Sequence, residues 1–110
     1  MKVDVLGTEY EIIELTETDK LEFATKCLIG QCNLRTKQIL LNKSEFERLL
    51  EGDGEPAIKL YKAETIRHEL LHVIFHETGH SKYADDEKLV DCLAVLFPKI
   101  LKIFHHANAI

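Results

Sequence analysis

The sequence predicts an α+β domain, with strands in its first half and helices in its second. Three observations carry that expectation. Residues 2–15 alternate apolar and polar side chains around Gly7-Thr8. Gly52-Asp53-Gly54-Glu55-Pro56 is a strong break near the middle of the chain. Beyond it, apolar residues recur at helical spacing almost to the last residue. A length of 110 residues fits a single domain, 1–110, and suffices for one hydrophobic core.

Val3 and Val5 stand on one side of Gly7-Thr8, Tyr10 and Ile12 on the other, which reads as a β-hairpin. Residues 18–26 are polar and show no clear period. Residues 28–34 and 38–41 flank Arg35-Thr36-Lys37 and predict a second hairpin. The expected product is a small antiparallel sheet, with strand 38–41 as a candidate edge for an extended peptide. Ser44 is the expected N-cap of a short helix through Leu50, with Glu47 completing a capping box.

Pro56 suits the first turn of a helix running from about residue 57 to Thr78, and Gly79 suits the left-handed position after it. Ile66, Leu70, Leu71, Val73, Ile74 and Phe75 make this helix apolar nearly all round, as a central, buried helix should be. A last helix is expected from about residue 86. It carries Leu89, Leu93, Leu96, Ile100 and Ile103 at helical spacing, with a kink or interruption at Pro98.

Apolar residues at 45% and charged residues at 30% describe a globular, soluble chain rather than a disordered one. The net charge of −5 offers no electrostatic footprint for nucleic acid. The acidic stretches 51–55 and 85–87 suit solvated loops, and the second also opens a helix. No apolar run approaches a membrane span, so no membrane partner is expected. Met1-Lys2-Val3-Asp4-Val5 does not read as a signal peptide. The three cysteines, Cys27, Cys32 and Cys92, form no Cys-x-x-Cys pair and suggest reduced thiols in a cytoplasm. Cys27 and Cys32 are a candidate metal pair, although small buried hydrophobes are the commoner role of such residues.

The chemistry-bearing motif is His68-Glu69-Leu70-Leu71-His72 on the central helix. Histidines at i and i+4 lie one turn apart on one face, so their rings can converge on a single zinc ion. Glu69 sits about 100° around the helix axis, placed to take a proton from an activated water without becoming a ligand. Three polar groups in the most apolar segment would cost several kcal/mol if buried without partners. Hydrogen-bonded core histidines and a salt-bridged glutamate are the structural alternative.

A catalytic zinc normally has three protein ligands and one open position. His76, His80 and Glu87 are the candidates for the third. Three successive turns of one straight helix put ligands in a line, which disfavours His76. His80 follows the Gly79 break and can fold back. Glu87 opens the next helix, which can pack antiparallel against the first, and this favours it. Asp91 lies one turn later on the same face and can hydrogen-bond the remote nitrogen of a ligand histidine. As an alternative, Glu87 and Asp91 are a solvated helix start. Tyr83, His80 and His76 are candidates for stabilising a transition-state oxyanion, with ordinary surface positions as the alternative. His105-His106 suggests a solvated, frayed tail more than a second metal site.

His68-Glu69-Leu70-Leu71-His72 followed by Asp86-Glu87-x-x-Val90-Asp91 resembles the gluzincin pattern. The whole chain resembles the small ImmA/IrrE-type metallopeptidases of phages, prophages and mobile elements in Gram-positive bacteria. Val5-Leu6-Gly7-Thr8-Glu9-Tyr10 and Val90-Asp91 with Phe97-Pro98-Lys99-Ile100 add to the likeness. The better-known members carry an additional domain and a different sequence around the third ligand. The resemblance implies a minimal zincin fold, a zinc cofactor and cleavage of a protein or peptide, such as a phage regulatory protein. Two other functions compete. One is a non-enzymatic, zinc-stabilised module that binds a protein partner, and the other is a metal-dependent hydrolase of non-peptides. A purely structural zinc prefers four protein ligands rich in cysteine, so Cys92 beside Asp91 is the residue to inspect.

Overall fold

A computed structural model describes residues 1–15 and 29–110. The stretch 18–26, Cys27 and Leu28, and with them the Cys27–Cys32 metal pair, lie outside the described residues. Strand β1 (Lys2–Val5) pairs with β2 (Thr8–Leu15) in antiparallel register, with Val3 opposite Tyr10. The turn falls at Leu6-Gly7, one residue before the expected position. Both residues have positive φ, 53° and 93°, as a tight two-residue hairpin of this hand requires. Asp4 supports the turn by accepting from the Gly7 amide at 2.7 Å.

β3 (Gly30–Asn33) and β4 (Gln38–Asn42) form the second expected hairpin. The sheet is mixed rather than antiparallel, because β2 and β4 pair in parallel and the order is β1-β2-β4-β3. β4 lies between β2 and β3, so the second hairpin joins the first through the parallel β2–β4 pair. Strand 38–41 is therefore interior, and β1 and β3 are the edges among the described residues.

Tyr10, Ile12, Ile39 and Leu41 project from alternate positions onto one sheet face. Val5, Phe46 and Val73 complete that core. Helix α1 (Lys43–Leu49) starts directly after β4, so its capping oxygen comes from Asn42 rather than Ser44. Asn42 accepts from the Glu45 amide, and the Ser44 hydroxyl bonds to the Asn42 side chain instead.

Helix α2 (Glu55–Glu77) has Pro56 in its first turn. At its end the amide of Gly79, at φ +79°, donates to His76, and that of His80 donates to Phe75. These paired bonds satisfy carbonyls that the helix leaves open. α2 is buried on two sides rather than all round. Val73 faces the sheet, and Leu71 faces helix α4 (Glu87–His106), while Ile74 meets solvent. Two neighbouring layers cannot enclose a helix completely. Between α2 and α4 lies the short helix α3 (Ser81–Ala84).

α4 continues through Pro98 without interruption. Its buried face is Val90 and Ala94, packed on Leu71 with Phe75 and Leu93. The expected face is only partly covered, since Leu96 is exposed and Ile103 is 63% exposed. The contact with α2 follows a different stripe of α4, and that contact ends near the proline. His105 and His106 are exposed but belong to the last helical turn rather than to a frayed tail. No helix among the described residues is long and apolar enough to cross a membrane.

Candidate metal centre

The local sequence of α2 places His68, Glu69 and His72 on the side where the helix meets both α4 and β3. His68 and His72 present their Nε2 atoms 3.1 Å apart. The Glu87 carboxylate reaches both, with Oε2 at 3.3 Å from His68 Nε2 and Oε1 at 3.2 Å from His72 Nε2. One ligand atom from each of these three residues lies within 4.8 Å of the others, so the group could hold a metal ion.

The opposite ring nitrogens are already engaged. His68 Nδ1 stands 2.8 Å from Asp91 Oδ1. His72 Nδ1 bonds to the backbone carbonyl of Ala84, at the end of α3. A carbonyl only accepts, so His72 Nδ1 carries the proton, and an ionised Asp91 requires the same of His68. In the neutral rings the two lone pairs on Nε2 then face each other beside a carboxylate. That arrangement is repulsive, and either a metal ion at its centre or a proton on one Nε2 relieves it. It is also the usual way in which outer partners fix the tautomer of a metal-binding histidine.

Glu69 is 6% exposed and is the only buried carboxylate among the described residues. Its Oε1 lies 4.0 Å from His68 Nε2, adjacent to the group but outside it. Burial pushes its pKa above the ordinary carboxylate value, against the opposing pull of His68 and His72. Cys32 lines the same cleft as Glu69, and burial together with the neighbouring Glu69 carboxylate pushes its thiol pKa up to about 12. Cys32 therefore stands beside Glu69 as a neutral thiol.

Gly30 makes the close approach of β3 possible. A Cβ there would stand 2.9 Å from Thr65 Cγ2 and 3.4 Å from Glu69 Oε1. Gly30, Gln31 and Cys32 line a cleft of about 410 Å³ together with His68, Glu69, His72 and Glu87. A larger cavity of about 670 Å³ lies elsewhere, between Glu14, Phe46, Pro56 and Lys62. Among the described residues its lining has no histidine or cysteine, and convergent donors identify a reactive site better than volume does.

The structure thus brings His68, Glu69, His72, Glu87 and Asp91 together. His76 is exposed and contributes no atom to the group. His80 bonds to the Thr78 hydroxyl and stacks on Tyr83, which also meets Phe75. Cys92 is exposed and contributes no ligand atom either. Sequence reasoning singled out Cys32 only as a partner of Cys27 or a small buried hydrophobe. It missed the place of Cys32 beside Glu69, and it missed Gly30 and the Ala84 carbonyl. A glycine inside a strand pattern is a signal of close backbone approach, and Gly30 carried it. The other two depend on tertiary contact. No family model matches the chain, nor does any curated protein or solved structure.

Proposed function

We propose that the protein is a zinc-dependent peptidase with a minimal zincin-like fold, ligated by His68, His72 and Glu87. The observation that carries this reading is the pair of Nε2 atoms converging with Glu87 while both Nδ1 atoms are held by acceptors. Tetrahedral zinc with bonds of about 2.0–2.1 Å sets its ligand atoms about 3.3 Å apart; the two Nε2 atoms stand 3.1 Å apart, and Glu87 meets each ring through a different oxygen, at 3.3 and 3.2 Å. Three protein ligands with no cysteine among them suit a catalytic rather than a structural zinc.

When bound, zinc supplies Lewis acidity, which lowers the pKa of a water and polarises a carbonyl. The chain's own residues do the rest. Asp91 and Ala84 hold the two imidazoles in the tautomer that points Nε2 inward. Glu69, buried beside the histidines, accepts a proton from the attacking water and returns it to the leaving amine. β3 is the edge strand beside the cleft, so an extended peptide can pair with its outer backbone groups. The gluzincin-like spacing from His68 to Asp91 supports kinship with the ImmA/IrrE-type enzymes and a cytoplasmic regulatory protein as substrate.

The test compares protein fragments in host cells expressing wild type or Glu69→Gln. The proposal expects fragments that appear with wild type alone, while both proteins retain zinc. Identical fragments and phenotype from two zinc-loaded forms would leave a zinc-stabilised binding module in its place.

A further inference from the structure

Pro98 lies inside α4, and a proline has no backbone N–H. The carbonyl four residues earlier, that of Ala94, therefore has no donor within its own helix. Ala94 is only 2% exposed, so solvent is a poor substitute. Arg67, on α2, points its guanidinium at this carbonyl, with Nε donating to the Ala94 oxygen at 2.7 Å. A buried carbonyl that loses its partner costs more than an ordinary hydrogen bond gains, and a charged donor makes the stronger bond.

We propose that Arg67 and Pro98 form a register lock, in which Arg67 is a positioning residue for the metal ligand Glu87. Pro98 frees one carbonyl in the middle of α4, and Arg67 selects it. Three contacts then run in antiparallel order between the helices: Arg67 to Ala94, His68 to Asp91, and His72 to Glu87. The apolar contact of Leu71, Val90 and Ala94 holds the helices together, but burial is not directional and sets register weakly. Glu87 and Asp91 are themselves about two-thirds exposed, so little else confines them. A slip of one turn moves α4 by about 5.4 Å, enough to take Glu87 off the histidines. The fixed bond at Ala94 opposes that slip, one turn beyond Asp91.

The metal consequence rests on the proposed zinc site. The pairing of Arg67 with the proline-freed carbonyl rests on backbone chemistry alone. A double-mutant cycle of Arg67→Met and Pro98→Ala in the full chain separates the two. One readout is urea stability of the metal-free protein. The other is zinc affinity, by competition with a chelator, together with the cobalt(II) absorption spectrum. Pro98→Ala restores an amide N–H for the Ala94 carbonyl, so Arg67 becomes dispensable there.

The expected result is a roughly tenfold loss of zinc affinity for Arg67→Met, at the scale of losing a residue that orients a ligand. The cobalt spectrum should change with it. The loss should fall to less than about threefold in the Pro98→Ala background, and Arg67→Lys should retain most of the affinity. Equal losses in both backgrounds would overturn the lock. Undiminished zinc affinity in folded Arg67→Met would overturn the positioning role. Should wild type bind no zinc, the metal reading and the positioning role fall together, and additive stability effects would then overturn the pairing itself.

Discussion

Glu69 and Glu77 lie eight residues apart on the same helix, and their surroundings treat the same side chain in opposite ways. Glu69 faces the sheet edge and the histidines, and burial raises its pKa. Glu77 sits in the last turn of α2. It accepts from the Tyr10 hydroxyl at 2.7 Å and the Thr8 hydroxyl at 3.1 Å, with Lys37 at 3.5 Å. The Tyr10 hydrogen bond leads the causes that hold its pKa below the ordinary value. One carboxylate is buried and pushed towards its neutral form, and the other is held charged and ties the helix to β2. The difference lies in the number of donors and the access to water, neither of which local sequence encodes.

The largest expected separation between the two is in rate. On a substrate, Glu69→Gln should lower turnover by about 10²–10⁴, the usual range for losing a general base. Glu77→Ala should leave turnover of the folded enzyme within a few-fold of wild type. Steady-state assays at matched zinc content decide this, and a comparable loss in both variants would erase the functional contrast.

A smaller effect is expected at Asp91. Asp91→Ala should weaken zinc binding about 10–100-fold by freeing the His68 ring, without abolishing it. A chelator competition measures this, and an unchanged affinity would reduce Asp91 to an ordinary helix-start acid.

The most delicate test uses pH and metal-free protein. A lowered folded pKa means that Glu77 stabilises the fold above the unfolded carboxylate value of about 4.3, and that this contribution fades as pH falls through the folded value. A raised folded pKa means that ionised Glu69 opposes folding, increasingly as pH rises from the unfolded value through the folded one. Between pH 3 and pH 7, Glu77→Ala should therefore lose stability relative to wild type, while Glu69→Gln should gain it. Denaturant titrations at both pH values check the signs, and trends of the same sign would contradict the electrostatic contrast.

The same division between local and tertiary information runs through the fold. Both hairpins, the central helix with its Pro56 start and Gly79 stop, and the His68-to-Asp91 spacing were legible because turn chemistry and periodicity are local. The parallel pairing of β2 with β4 was not, since hairpin signals set neighbours and leave the order of hairpins open. The buried stripe of α4 was misread for a related reason. Leu89, Leu93, Leu96, Ile100 and Ile103 share a face by spacing, yet the fully buried residues are Val90 and Ala94, with Leu93 packed beside them. Their stripe coincides with the position of Arg67 on the facing helix. The neighbours of Glu69 and His72, the backbone of β3 at Gly30 and a carbonyl from α3, come from elements whose placement no motif records.

Zinc stoichiometry tests the central claim most directly. Elemental analysis and zinc titration of the purified chain should give one zinc per molecule. His72→Ala and Glu87→Ala should each lose most of it, while His76→Ala keeps it. Zinc retained undiminished by both His72→Ala and Glu87→Ala, or a wild type that takes up none, would contradict the site.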